Sequence, residues 1–179
     1  MDIKNHKILN IQFLDSPNYN KRPKDAIIDL VVIHCISLPR GKYKNTNVEK
    51  FFLNESDQSL DKNFEETKVL KVSSHLYIKR DGKIIQFVPF NKRAWHAGKS
   101  SYEGIEDCNN NSIGIELQGT DSSKFEKVQY NALVKVLKLL ISEYPNITPR
   151  RVVGHSDVAP GRKTDPGYCF DWSILKELK

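Results

Sequence analysis

The chain has no apolar run approaching the length of a membrane span, and its first residues, Met1-Asp2-Ile3-Lys4-Asn5-His6-Lys7, lack the basic-then-apolar pattern of a secretory signal. Cysteine is scarce. Cys35, Cys108 and Cys169 are an odd number without CxxC spacing, which argues against a disulfide framework and for a reducing compartment. The thiols read as small buried side chains, and the cytoplasm is the expected location. Blocks of like charge, low-complexity tracts and internal repeats are also missing. Lys+Arg 28 against Asp+Glu 22 leaves a net charge of +6, which would attract an anionic ligand. The basic residues are scattered and not interleaved with aromatics, so neither nucleic acid nor a membrane is expected as a partner. At 179 residues, a single domain over 1–179 can bury a core without disulfides.

What is present is a segment crowded with chemistry. Gly154-His155-Ser156-Asp157-Val158-Ala159-Pro160-Gly161-Arg162-Lys163-Thr164-Asp165-Pro166-Gly167 holds an imidazole, an ammonium and a carboxylate among two prolines and three glycines. It reads as a shaped turn leaving a strand over Arg151 to Gly154. The nitrogen of His155 and the oxygen of Asp165 suit a divalent metal such as zinc, and a third ligand must come from elsewhere.

Ile27 to Ser37 is β-branched and apolar, as a buried central strand should be, with Val32, His34 and Ile36 on one face. His34 is then either a hydrogen-bonded core residue or the floor of a pocket. Asn111 to Gly119 predicts a second strand, in which Glu116 shares a face with Gly114 and Gln118. A carboxylate there must meet solvent, a charge partner or a cleft. Arg80-Asp81-Gly82 between Val72–Lys79 and Lys83–Phe90 predicts an antiparallel hairpin. The segment Asn91 to Tyr102, with Trp95 and His96, is either a binding loop or a cover for the core.

Ser123-Lys124-Phe125-Glu126 has the form of a capping box. Phe125, Val128, Ala132, Leu133, Val136, Leu137 and Leu140 then repeat at helical spacing toward Tyr144-Pro145. Asp171 to Leu178 predicts a closing helix, and the polar stretch Asn54 to Lys68 a mobile insertion. Strands mixed with helices and a hairpin predict a central mixed β-sheet flanked by helices, of α/β or α+β class.

Taken in order, these blocks resemble the AmpD-type N-acetylmuramoyl-L-alanine amidases of the zinc amidase and peptidoglycan-recognition family. The resemblance runs from about Leu14 to Trp172 and is carried by Val32-Ile33-His34, Val72-Ser73-Ser74-His75, Arg80-Asp81-Gly82 and Val88 through Gly98. Ser112-Ile113-Gly114-Ile115-Glu116-Leu117, Gly154-His155 and Pro160 with Arg162 to Gly167 complete it. It implies a cytoplasmic enzyme of bacterial peptidoglycan recycling. That enzyme would hydrolyse the amide between the lactyl group of 1,6-anhydro-N-acetylmuramic acid and L-alanine of a muropeptide.

Residue by residue, the resemblance implies one Zn²⁺ on His34, His155 and Asp165, with Glu116 as general base and Lys163 as the cation beside the reacting carbonyl. Ala94, Trp95, His96 and Arg162 would line the substrate cleft, with Cys35 and Lys71 at its edge. Close relatives have asparagine where Cys35 stands and arginines where Lys71 and Asp107 stand, so Asp107 is expected to repel a stem-peptide carboxylate. Strand alternation points Cys35 away from His34 and argues against its being a ligand. The same fold also serves non-catalytic recognition domains and lysins acting on intact wall. The former typically lose a zinc ligand, whereas all three are here.

Overall fold

The computed structural model describes residues 1–55 and 70–178; the expected insertion at 54–68 falls almost wholly outside them. Its centre is a six-stranded sheet built from β1 (Gln12–Phe13), β2 (Leu30–Ile36), β3 (Leu76–Ile78), β4 (Ile84–Gln86), β5 (Ser112–Gln118) and β6 (Val152–Gly154), in the order β6-β2-β5-β3-β4-β1. β6, β2, β5 and β3 run parallel, β4 turns back antiparallel to β3, and β1 lies parallel to β4. The sheet is thus mixed, as expected.

Both faces of the parallel part are covered, which is why β2 and β5 read as almost unbroken apolar runs. Val31, Ile33, Ile113, Ile115 and Leu117 pack with Leu133, Val136, Leu137 and Leu140 of helix α2 (Lys127–Glu143). The alternate residues face the other way. Leu30 and Val32 meet Val153 and Val158, and Tyr77 meets Phe51 and Phe52 of helix α1 (Asn47–Phe52). His34 and Glu116, of the same parity as Val32 and Gly114, belong to this second face.

Three local expectations shift. The sheet strand begins at Leu30, and Ile27 is exposed. The α2 cap lies three residues later than the Ser123–Glu126 pattern suggests. Glu126 is the capping residue, its N–H donates to Gln129 Oε1 at 3.0 Å, and the Ser123 hydroxyl oxygen instead accepts from Thr120 N–H. That start rotates Val128 outward and brings Gln129 into the core, where its amide donates to the carbonyls of Ile78 and Gln118 at 3.2 and 3.1 Å. The closing segment Trp172–Leu178 is a 3₁₀ helix. The Arg80-Asp81-Gly82 hairpin forms with Gly82 at φ 82°, a left-handed conformation that glycine adopts without strain.

Candidate active site

The cleft opens where β2, β5 and β6 present one face toward the loops 93–101 and 159–165, an open space of about 1440 Å³. Register explains who meets there. Glu116 on β5 pairs with His34 on β2, while Val153 and Gly154 of β6 pair with Val32 and Ile33. His155, one step beyond Gly154, therefore arrives level with His34, although the two are 121 positions apart. The expected turn after β6 is one helical turn, α3 (His155–Val158). The chain then loops back so that Ser156 N–H donates to the Asp165 carbonyl at 3.0 Å, and the Thr164 hydroxyl to Asp121 Oδ2 at 2.8 Å.

Three donor atoms converge as a result. His34 Nδ1 is 2.9 Å from His155 Nδ1, and each is 3.1 Å from Asp165 Oδ2. On its far side His155 Nε2 is 3.1 Å from the Ala97 carbonyl, which can only accept, so the ring proton sits there and Nδ1 carries a lone pair. A proton could bridge one pair of the three atoms; a cation satisfies all of them. The donor set of two imidazole nitrogens and one carboxylate suits zinc, and these residues form a group able to hold a metal ion. Burial holds neutral His34 in place, lowering its pKa to about 4, a shift reinforced by His155 and opposed by the hydrogen bond to Asp165.

Glu116 borders this group. Its Oε2 is buried without a hydrogen-bond partner among the described residues. Burial, then the Asp165 charge, raises its pKa well above the usual carboxylate value, and Lys163 pulls it back. Lys163 is exposed and lines the cleft. Trp95 also lines it, its indole N–H held by Asn20 Oδ1 at 2.9 Å, and Lys71 stands exposed at the rim.

Of the expected cleft residues, Cys35, His96 and Arg162 also line it and Ala94 does not. Ala94 is fully buried against Phe52 and Phe87, because pairing of strand 92–94 with 19–21 turns its methyl inward. Both ring nitrogens of His96 are engaged, by His34 Nε2 at 3.0 Å and Ser112 Oγ at 3.1 Å. Arg162 lines the cleft as expected, and its Nη2 donates to the carbonyls of Ala97 and Lys99, both at 2.6 Å, which anchors the guanidinium there. Asp107 is not a free anion, as Arg93 Nη2 grips it at 2.9 and 2.6 Å. Cys35 packs toward α2, and burial, with Glu116 adding, pushes its thiol up and away from a ligating thiolate.

Other contributors escaped the sequence reading. Asn109 Oδ1 accepts from His96 and Ala97 N–H at 3.0 and 2.8 Å and fixes the loop that holds both imidazoles. Parity alone could have flagged Ser112, two places before Gly114 on the face that carries Glu116.

Fold and site together define a mixed-sheet protein with a cleft in which three potential metal ligands converge. The family profile of N-acetylmuramoyl-L-alanine amidase matches residues 23–168. The 1,6-anhydro-N-acetylmuramyl-L-alanine amidase AmpD of Escherichia coli (strain K12) is 47% identical over 163 residues, 91% of this chain and 88% of the relative. A crystal structure of a Se-Met AmpD derivative superposes with a TM-score of 0.95 at 43% identity, covering 99% of each chain. A complex of E. coli AmiD with anhydro-N-acetylmuramic acid-L-Ala-D-gamma-Glu-L-Lys matches at TM-score 0.61 and 30% identity, covering 88% of this chain and 60% of that one. The chain belongs to the N-acetylmuramoyl-L-alanine amidase family, and within it to the AmpD type.

Proposed function

We propose that this amidase is zinc-dependent and acts on anhydromuropeptides. On this reading it cleaves the amide between the lactyl group of 1,6-anhydro-N-acetylmuramic acid and L-alanine, in the cytoplasmic recycling of peptidoglycan. The observation that carries the proposal is the convergence of His34 Nδ1, His155 Nδ1 and Asp165 Oδ2 at 2.9 to 3.1 Å, with Glu116 beside them. The names of the relatives support the substrate, as does the anhydromuramyl tripeptide bound to AmiD. Among the described residues no helix is long and apolar enough to cross a membrane.

His34, His155 and Asp165 would hold the metal. When bound, zinc supplies a Lewis acid that makes water a usable nucleophile near neutral pH and polarises the scissile carbonyl. Glu116 takes the proton of the attacking water and passes it to the alanine nitrogen, without which an amine leaves poorly. A carboxylate with an unpartnered buried oxygen and a raised pKa suits that alternation between base and acid. Lys163 offers its ammonium to the oxygen that gains negative charge in the tetrahedral intermediate. Trp95, its N–H tied to Asn20, presents a ring on which a sugar can stack. With Asp107 paired to Arg93, the cleft cations that could meet stem-peptide carboxylates include Lys71, Lys99 and Arg162.

Mass spectrometry of the products from a soluble anhydromuramyl tripeptide, compared with release from intact sacculi, tests the substrate. Free tripeptide plus anhydro-sugar, with little release from sacculi, is expected. Equal or faster release from sacculi would make the chain a lysin.

A further inference from the structure

The site also contains a one-way hydrogen-bond chain. The Ser112 hydroxyl donates to the Cys108 carbonyl, which has no proton to return. Having spent its only proton, Ser112 Oγ can meet His96 Nε2, 3.1 Å away, only as an acceptor. His96 is then protonated on Nε2 and bare on Nδ1. That bare nitrogen lies 3.0 Å from His34 Nε2 and accepts from it. The His34 proton is thereby held on the side away from Asp165, and its Nδ1 lone pair faces His155 and Asp165.

We propose that Ser112 and His96 are positioning residues that set the tautomer of His34 and so hold its Nδ1 ready for the metal. This inference rests on the zinc reading above and deepens it. The seat of the relay is cut for its ring. A Cβ at Gly114 would stand 2.5 Å from His96 Cγ and 2.6 Å from its Nδ1, so the imidazole lies against bare backbone. Ser112, Gly114 and Glu116 occupy alternate positions of β5, so one strand face carries the anchor of the relay, its seat and the proposed base. His155 achieves the same polarity by a shorter route, donating directly to the Ala97 carbonyl. Carbonyls at the far end of both chains leave both Nδ1 atoms without protons, a role that outer partners of metal-binding histidines commonly fill.

The test uses the metal-free protein at neutral pH. Its ¹⁵N-edited imidazole spectra should show His34, His96 and His155 all protonated on Nε2. Ser112→Ala frees His96 to reverse, so His34 should gain Nδ1–H population and zinc affinity, measured by chelator competition, should fall roughly 10- to 100-fold. Ser16→Ala, which also removes a buried serine-to-carbonyl bond, serves as a control and should alter neither signal. His96→Gln keeps an amide able to donate to Ser112 and accept from His34, and should recover affinity relative to His96→Ala. A wild-type His34 protonated on Nδ1 overturns the inference. So does a Ser112→Ala protein whose spectrum and affinity match wild type. Failure of the wild type to bind zinc at all would instead overturn the functional reading.

Discussion

Two regions of this molecule bury histidine equally well, and only one of them brings together a group able to hold a metal ion. His75 is 0% exposed, His34 1% and His155 4%, so depth does not separate them. Hydrogen bonding does. His75 Nδ1 accepts from Gly114 N–H at 3.0 Å, which puts the ring proton on Nε2, where it meets the Lys92 carbonyl at 3.0 Å with the Arg22 guanidinium also 3.2 Å away, so each ring nitrogen has a fixed protein partner. In the other region two lone pairs and a carboxylate oxygen face one another across about 3 Å. Buried polar groups are normally satisfied, and a convergent set of unsatisfied acceptors is where a cation belongs. Satisfied lone pairs fasten strands, whereas unsatisfied ones can receive a cation.

The largest effect expected on the site side is from Glu116→Gln, which should cut kcat by roughly 10²- to 10⁴-fold while zinc stoichiometry is retained. Full turnover in that variant would remove Glu116 from the chemistry. Lys163→Ala comes next, with a fall in kcat of roughly 10²- to 10³-fold at unchanged metal content. An unaltered kcat would return Lys163 to the surface.

On the other side, His75→Ala strands the Gly114 N–H and the Lys92 carbonyl, each at a cost of about 1–3 kcal/mol of stability. Urea unfolding should record that loss, and the folded variant should still bind one zinc. Loss of zinc from a well-folded His75→Ala protein would blur the distinction between the two regions.

The smallest effect is graded by pH. Burial, then the charge of Arg22, lowers the His75 pKa to about 3, well under its ordinary 6.5. The unfolded chain therefore binds more protons than the folded one between those values. The His75 contribution to stability is complete above about pH 6.5 and declines as pH falls toward 3, by up to about 1.4 kcal/mol per pH unit. His75→Gln should flatten that slope in metal-free protein, and an unchanged slope would show that His75 does not drive it.

Much of this arrangement could be read from the chain. The parity that sets His34 and Glu116 apart from Ile33 and Ile115 follows from strand alternation, and Asp-Gly forecast the hairpin. Pairing of His34 with His155 could not be read from spacing, because the register of β6 against β2 is set by tertiary contact. Family resemblance supplied that pair. The α2 cap misled because Ser123 and Gln129 both offered capping chemistry, and burial of Gln129 against the ends of β3 and β5 decided between them. Asp107 looked like a free charge only because its partner, Arg93, lies elsewhere in sequence.

The central claim is that the gap among His34, His155 and Asp165 is the seat of the cation on which hydrolysis depends. Turnover of an anhydromuramyl tripeptide, followed before chelation, after chelation and after stoichiometric zinc is restored, tests it most directly. The account predicts loss of turnover on chelation and its return at one zinc per chain. Turnover that persists in metal-free protein would contradict it.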